Sequence, residues 1–369
     1  MPATVKTLCD AMEAWAPAAL AYDWDAVGLQ TGQPSQPVQR VLTCLTITED
    51  VVRRAERWGA QMIVAHHPLV FRPMKNLRTD DPHTALCLRI AAANIACFAA
   101  HTNLDVVPQG VNTLLADDLG LLEVAPLIPA PGAGQVKLVT FVPETHLAVV
   151  REALANAGAG QIGAYSECSF STAGTGTFRP DDTANPFSGR AGALNEEPER
   201  RLEMLLPRVN VPTAIRALRD AHPYEEPAYD IVPLENRDPR FGLGARGVLK
   251  SPMPLRAFAE HVRAALKLQH VRFVGQPNTK VRTVAVCGGA GGGEIPRVPR
   301  DIDVYVTGDL KYHEADSARE RGLALIDAGH VGTERNIATK IARYLRKAVP
   351  GIETKAVLEP EIFTAINGA

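Results

Sequence analysis

Three short clusters bring together side chains able to ligate metal ions: His66-His67-Pro68, His101 with Asp105 four residues on, and His330 with Glu334 at the same spacing. Each follows a short apolar run of buried-strand type, at residues 62–65, 95–100 and 325–327. In an open parallel sheet the carboxyl ends of the strands are where ligands bind. Neighbouring residues on extended backbone point to opposite sides, so His66 and His67 suit two adjacent ions better than one. A spacing of four at a helix start turns both side chains of a cluster toward one face. A single histidine at a strand end is an ordinary hydrogen-bonded surface group; three clusters at equivalent strand ends make a ligand set.

Imidazole and carboxylate without thiolate suit Zn, Mn, Fe, Ni or Co over Mg or Ca, with Zn favoured. Two such ions about 3.5–4 Å apart, bridged by a carboxylate and a hydroxide, form the centre of binuclear hydrolases. Two divalent ions bring four positive charges, against one negative charge each from Asp105, Glu334 and a bridging hydroxide. About one positive charge is left over, which favours a small anionic substrate such as a nucleotide or another phosphorylated molecule.

The elements that must position these residues alternate. Helical spacing covers residues 5–15 with Thr4 as cap and 49–58 with Thr48 as cap, then 84–93 and 111–119. Between them lie strand-type runs at 41–47, 62–65 and 95–100. Strand, helix, strand, helix implies a largely parallel sheet covered by helices. Residues 126–135 hold three prolines and two glycines, the composition of a linker. From there the order is strand 136–142, helix 146–157, strand 168–177, a polar loop 179–196, strand 200–207, helix 211–222 and strand 228–234. That β-α-β-β-α-β succession is ferredoxin-like. The α/β alternation then returns, with strands at 281–287, 304–307 and 324–327, helices at 255–266 and 313–321, and one long final helix at 334–349. The expected architecture is therefore a discontinuous α/β metal-binding core in two halves, 1–130 and 241–369, carrying an inserted ferredoxin-like α+β domain at 134–236.

At 369 residues the chain is long enough for two or three domains. A formal net charge of −2 and the lack of like-charge runs give nucleic acid no electrostatic footprint. The six cysteines include no Cys-x-x-Cys pair, which argues against a zinc ribbon or disulfide framework and for a reducing compartment. With no signal-peptide pattern and no 18-residue apolar run, a cytoplasmic protein without a membrane span is expected.

The clusters and their surroundings resemble the NIF-three-like family of dinuclear metal-centre proteins, also labelled GTP cyclohydrolase 1 type 2 homologues. The matching stretches are Trp24-Asp25-x-Val27-Gly28-Leu29, Ala65-His66-His67-Pro68-Leu69 and Ala100-His101-Thr102-Asn103-Leu104-Asp105. Further on come Cys287-Gly288-Gly289-Ala290-Gly291, Thr307-Gly308-Asp309-x-Lys311-Tyr312-His313 and Gly329-His330-x-x-Thr333-Glu334. The resemblance covers essentially the whole chain. It implies a homohexamer with metal pairs facing an internal cavity, one ion held by His66 and Asp105, the other by His67 and His330, and Glu334 bridging. It gives His101 a supporting or acid–base role and implies opening of the guanine ring of GTP at C8 with release of formate, His101 or Glu334 moving the protons. The middle segment resembles the PII- and CutA-like insertion of longer family members, through Gly158-Ala159-Gly160-x-Ile162-Gly163-x-Tyr165, Cys168-Ser169-Phe170, Gly174-x-Gly176-Thr177-Phe178 and His222-Pro223-Tyr224-Glu225-Glu226-Pro227.

Some residues stay open between two readings. Glycines 288–293 either let backbone amides approach a phosphate or make a tight turn at the sheet edge. The run lacks the Lys and Ser/Thr of a P-loop. His222 and Glu225 suggest a second metal site, but a rigid turn fixed by two prolines is the better reading. Asp309 and His313 either line the cavity or cap a helix. Trp24 and Asp25 either shape the pocket entrance or form a turn, and Cys287 reads as a small buried hydrophobe. Two rival functions remain beside the hydrolase: a metal-delivery protein without a substrate, and an interaction scaffold.

Overall fold

The computed structural model describes residues 2–363; positions 364–369, the end of the expected second half, lie outside the described residues. The chain divides into two compact units. One gathers the residues up to 130 with those from 240 on, and the other is Pro131–Pro239.

The first unit contains two sheets. The first sheet has three parallel strands at its centre, Arg40–Cys44, Met62–Ala65 and Ala96–Ala99, and the last two are buried throughout. Buried strands of this kind are near-continuous apolar runs because helices cover both faces. Glu49–Trp58 shows why one such helix forms where it does. Thr48 accepts from the Val51 amide, Val51, Val52 and Ala55 turn inward, and Gly59 ends the helix in the left-handed region at φ 69°. The second sheet has its own parallel trio, Lys280–Val286, Val304–Thr307 and Ala324–Asp327.

Each sheet borrows a strand from the other end of the chain. Glu353–Ala356 pairs parallel with Arg40–Cys44 in the first sheet, and Leu122–Pro129 forms the antiparallel edge of the second against Gly242–Pro254. The two sequence halves are thus tied together by backbone ladders. The antiparallel edges also make the sheets mixed rather than wholly parallel.

The linker expected at 126–135 is corrected by this arrangement. Residues 122–129 are paired strand, and Pro126 is tolerated because the strand lies at the sheet edge, where a missing N–H costs no ladder bond. The single helix expected at 334–349 is also two pieces. A short helix His330–Glu334 precedes the longer Ile337–Ala348. The Asn336 side chain between them donates to Asp118 at 2.7 Å.

The second unit is a four-stranded antiparallel sheet with two helices, Leu147–Asn156 and Val211–Ala221. In spatial order its strands are Ser169–Phe178, Asn195–Pro207, Gly134–Pro143 and Tyr229–Arg237. Val136, Leu138, Leu202, Met204 and Leu206 pack with Val150, Leu154, Ala214 and Leu218 of the helices. By strand alternation, residues 137, 139 and 141 and residues 199, 201 and 203 face the other way.

Candidate metal centre

The six residues of the three clusters all lie in the first unit, at the ends of strands from both of its sheets. His66 and His67 follow directly on Met62–Ala65. His101 follows Ala96–Ala99, and a four-residue helix, Thr102–Asp105, then turns Asp105 back. His330 and Glu334 open and close the short helix after Ala324–Asp327, which Gly329 admits at φ 72°. The structure brings all six together, and three groups have ligand atoms within 4.8 Å of one another: His66, His67 and His101; His67, His330 and Glu334; and His66, Asp105 and Glu334.

The four imidazoles are oriented alike. His66 Nδ1 donates to the Ala100 carbonyl at 2.8 Å. His67 Nδ1 meets the Thr46 hydroxyl at 2.7 Å, His101 Nδ1 meets Asp25 Oδ1 at 2.8 Å, and His330 Nδ1 meets Asp309 Oδ2 at 2.8 Å. With each Nδ1 held, the Nε2 atoms are left for the centre. This is the usual way a protein fixes the tautomer of a metal-binding histidine.

Inside, His67 Nε2 lies 3.3 Å from His330 Nε2, and both approach Glu334 Oε2, at 3.1 and 3.0 Å. His66 Nε2 lies 3.6 Å from Asp105 Oδ1 and 3.8 Å from Glu334 Oε1. His66 Nε2 and Asp105 Oδ1 are buried with no hydrogen-bond partner. A buried polar atom without a partner costs about 1–3 kcal/mol, and two facing one another across one gap suit a cation held between them. The donor set therefore fits a divalent ion of the nitrogen- and oxygen-binding class.

The charges fit as well. Burial opposes ionisation of Glu334, but His330, His66 and His67 around it hold its carboxyl well below the usual range. Burial pushes Asp105 up to about 6, and Glu334 adds to that shift while His66 opposes it. Burial works against charge on His66, yet Asp105 and Glu334 outweigh it and bring the imidazole up to about 9. The hydrogen bond to Glu334 likewise brings His330 up to about 9, whereas burial lowers His67. The carboxylates that favour a proton on His66 and His330 would equally favour a cation at the same place.

The glycine-rich segment makes room for this cluster. A Cβ on Gly289, whose φ is 65°, would stand 2.3 Å from Glu334 Oε1 and 3.2 Å from His330 Nε2. The amides of Gly288, Gly289 and Gly291 donate to the side chains of Asn112, Thr333 and Thr307. Those three amides are already used, so the segment is a wall of the site and its hydrogen bonds serve the fold.

Of the residues left open, Asp309 holds His330 and Asp25 holds His101. Asp25 also accepts from the Thr102 amide and hydroxyl, at 3.0 and 2.6 Å. Trp24 and Phe71 are exposed, with ring centroids 6.3 and 6.2 Å from that of His101. His313 is not drawn in; it is exposed beside Tyr312. Cys287 is buried. Thr46, Phe71 and the Ala100 carbonyl had no signal in the sequence, since a hydroxyl, a ring or a backbone oxygen becomes part of a site only through tertiary placement.

Fold and site together define a mixed α/β protein with a buried histidine–carboxylate cluster able to hold metal. The chain belongs to the Duf34/NIF3 (NGG1p interacting factor 3) family, whose model matches residues 3–361. It is 43% identical over 326 residues to a GTP cyclohydrolase 1 type 2 homolog of Halalkalibacterium halodurans, covering 88% of each chain. It is 43% identical over 319 residues to the protein of the same name in Bacillus subtilis, covering 86% of each. A crystal structure of a Bacillus cereus protein related to NIF3 superposes with a TM-score of 0.88 at 39% identity, covering 99% of this chain and 100% of that one.

Among the described residues, no helix is long and apolar enough to cross a membrane.

Proposed function

We propose that this protein is a metal-dependent hydrolase acting on a nucleotide or a related phosphorylated heteroaromatic compound. The observation that carries the reading is the gap lined by His66 Nε2, Asp105 Oδ1 and Glu334, continued by the facing Nε2 atoms of His67 and His330. We assign one ion to His66 and Asp105, a second to His67 and His330, and Glu334 to both, with Zn the favoured metal. Such ions supply Lewis-acid charge and a water acidic enough to be a nucleophile near neutral pH.

The chain's own residues do the rest. The fixed Nδ1 contacts pre-orient the imidazoles, so little reorganisation accompanies binding. The His101 ring, held at Nδ1 by Asp25, neighbours those of His66 and His67 as well as those of Trp24 and Phe71, and to it we assign the movement of a proton to or from the substrate. The exposed Trp24 and Phe71 rings offer a planar heterocycle a stacking surface, worth about 1–3 kcal/mol for a nucleobase. The relatives' name points to GTP as the first substrate to try.

We further read the Pro131–Pro239 unit as an inserted ferredoxin-like domain, a reading its β-α-β-β-α-β element order supports. We read the working form as a cytoplasmic homohexamer, on family membership.

The test is turnover of a nucleotide panel by metal-loaded protein, repeated after chelation and reloading. The reading expects activity that is lost on chelation and restored by metal. Bound metal with no turnover, and transfer of that metal to an apo acceptor, would instead select the delivery reading.

A further inference from the structure

The inserted unit carries a cavity of about 630 Å³ whose lining includes none of the metal-cluster residues. It lies on the sheet face turned away from the helices, since Phe141, Glu199 and Arg201 line it and alternate with residues of the helix-side core. Its roof comes from the loop between the strands Ser169–Phe178 and Asn195–Pro207. That loop is tied down by the Asn185 amide, which donates to Glu225 at 3.1 Å, and by Phe187, whose ring meets those of Tyr224 and His146 at 6.1 and 5.4 Å.

Part of the wall lacks side chains. A Cβ on Gly174 would meet nothing within 4 Å, and one on Gly176 would collide with the Glu199 carboxylate at 2.2 Å. The two glycines keep a channel open along the strand and let Glu199 lie across it.

The polar groups are one-sided. Of the charged lining residues, Glu199, Glu225 and Glu226 are acidic and Arg201 alone is basic. Arg201 is already engaged, with its Nε on Glu203 at 2.8 Å and its guanidinium over the Phe141 ring at 5.8 Å. The Tyr224 hydroxyl donates to Glu199 Oε1 at 2.9 Å. Ser188 Oγ is buried in the wall with no hydrogen-bond partner. The His222-Pro223-Tyr224-Glu225 stretch finds its place here. His222 is structural, with Nε2 donating to the Phe141 carbonyl and Nδ1 accepting from the Tyr224 amide. It thereby fixes the turn that points Tyr224 and Glu225 at the cavity.

We propose that this cavity is a binding site for a small organic cation, an amine or quaternary ammonium carrying a flat apolar body. Its volume lies in the range of small-molecule sites, and its mix of aromatic walls with a few convergent polar groups is theirs too. The Phe187 and Tyr224 rings attract a cation through their π faces, and the acidic excess of the lining repels anions. The inserted unit thereby has a ligand site lined by its own residues.

The test uses the full chain and three probes of similar size: benzyltrimethylammonium, benzyl alcohol and benzoate, followed by calorimetry and saturation-transfer NMR. The proposal expects benzyltrimethylammonium to bind at least about tenfold tighter than benzyl alcohol, with benzoate not binding. Glu199→Gln should weaken the cation about tenfold, and Gly174→Leu, which fills the channel, should abolish its binding. Metal content and thermal midpoint should stay unchanged in both variants. Binding that ignores charge, a preference for benzoate, or binding indifferent to both substitutions overturns the proposal. So does a loss of assembly mass in Gly174→Leu without cation binding in the parent, because a second copy of the chain then occupies this face.

Discussion

Replacing Gly289 with alanine tests whether the glycine segment exists to admit Glu334. The added Cβ would stand 2.3 Å from Glu334 Oε1, where a carbon–oxygen contact needs about 3.3 Å. The carboxylate or the loop must therefore move by about 1 Å, against a tolerance of about 0.2 Å for metal–ligand distances. Glu334 cannot swing away at no cost, because it is buried and held by His67 and His330 at 3.1 and 3.0 Å. The left-handed φ of 65° adds about 1–2 kcal/mol of strain for a residue bearing a Cβ. We expect Gly289→Ala to fold with a modestly lowered thermal midpoint and to bind metal about 10–100-fold more weakly. Competition against a chromophoric chelator measures the affinity. Gly293→Ala is the control in the same loop, where an added Cβ meets nothing and φ is not positive, and it should bind as the parent does. If Gly289→Ala keeps parental affinity to within about threefold, this reasoning about the loop is wrong.

Three further outcomes follow from the same geometry. His66→Ala should lose most of the bound metal measured by elemental analysis, while His313→Ala, outside the cluster, should retain it. Metal uptake should release protons and strengthen with pH. His66 and His330 are raised to about 9, so their protons stabilise the metal-free fold fully below pH 6.5 and that contribution is lost as pH rises through about 9. Calorimetry in buffers of different ionisation heat counts the protons, and zero release at pH 7.5 contradicts the assignment. Asp25→Asn should keep its metal yet lose stability. Burial opposes charge on Asp25, but His101 and Thr102 hold its carboxyl at about 2 against an ordinary 3.8. The resulting stabilisation of about 2 kcal/mol is present above pH 4 and lost as pH falls through 2. Denaturant melts should show the gap between parent and variant closing over that window; a constant gap contradicts it.

The sequence disclosed those parts of the molecule whose signal is local. The runs at 62–65, 304–307 and 324–327 are wholly buried strands, because their mostly apolar residues have nowhere else to go. The strand ends then place each histidine cluster near the same point. What stayed hidden depends on partners distant in the chain. Glu353–Ala356 is polar and short, and only its pairing with Arg40–Cys44 makes it a strand. Leu122–Pro129 contains two prolines and is a strand only because an edge tolerates them. The break after Glu334, where Asn336 donates to Asp118 from the other half of the chain, is likewise something helix periodicity does not record. Thr46 likewise enters the site only through folding, by orienting the His67 imidazole, whereas Asp25 was legible as a candidate and folding supplies its contact with His101.

Anomalous diffraction from crystals of metal-loaded protein tests the central assignment most directly. Two peaks per chain are predicted, about 3.5–4 Å apart, one within reach of His66 and Asp105, the other of His67 and His330, with Glu334 between them. No peak at this cluster, or a single ion elsewhere on the chain, contradicts it.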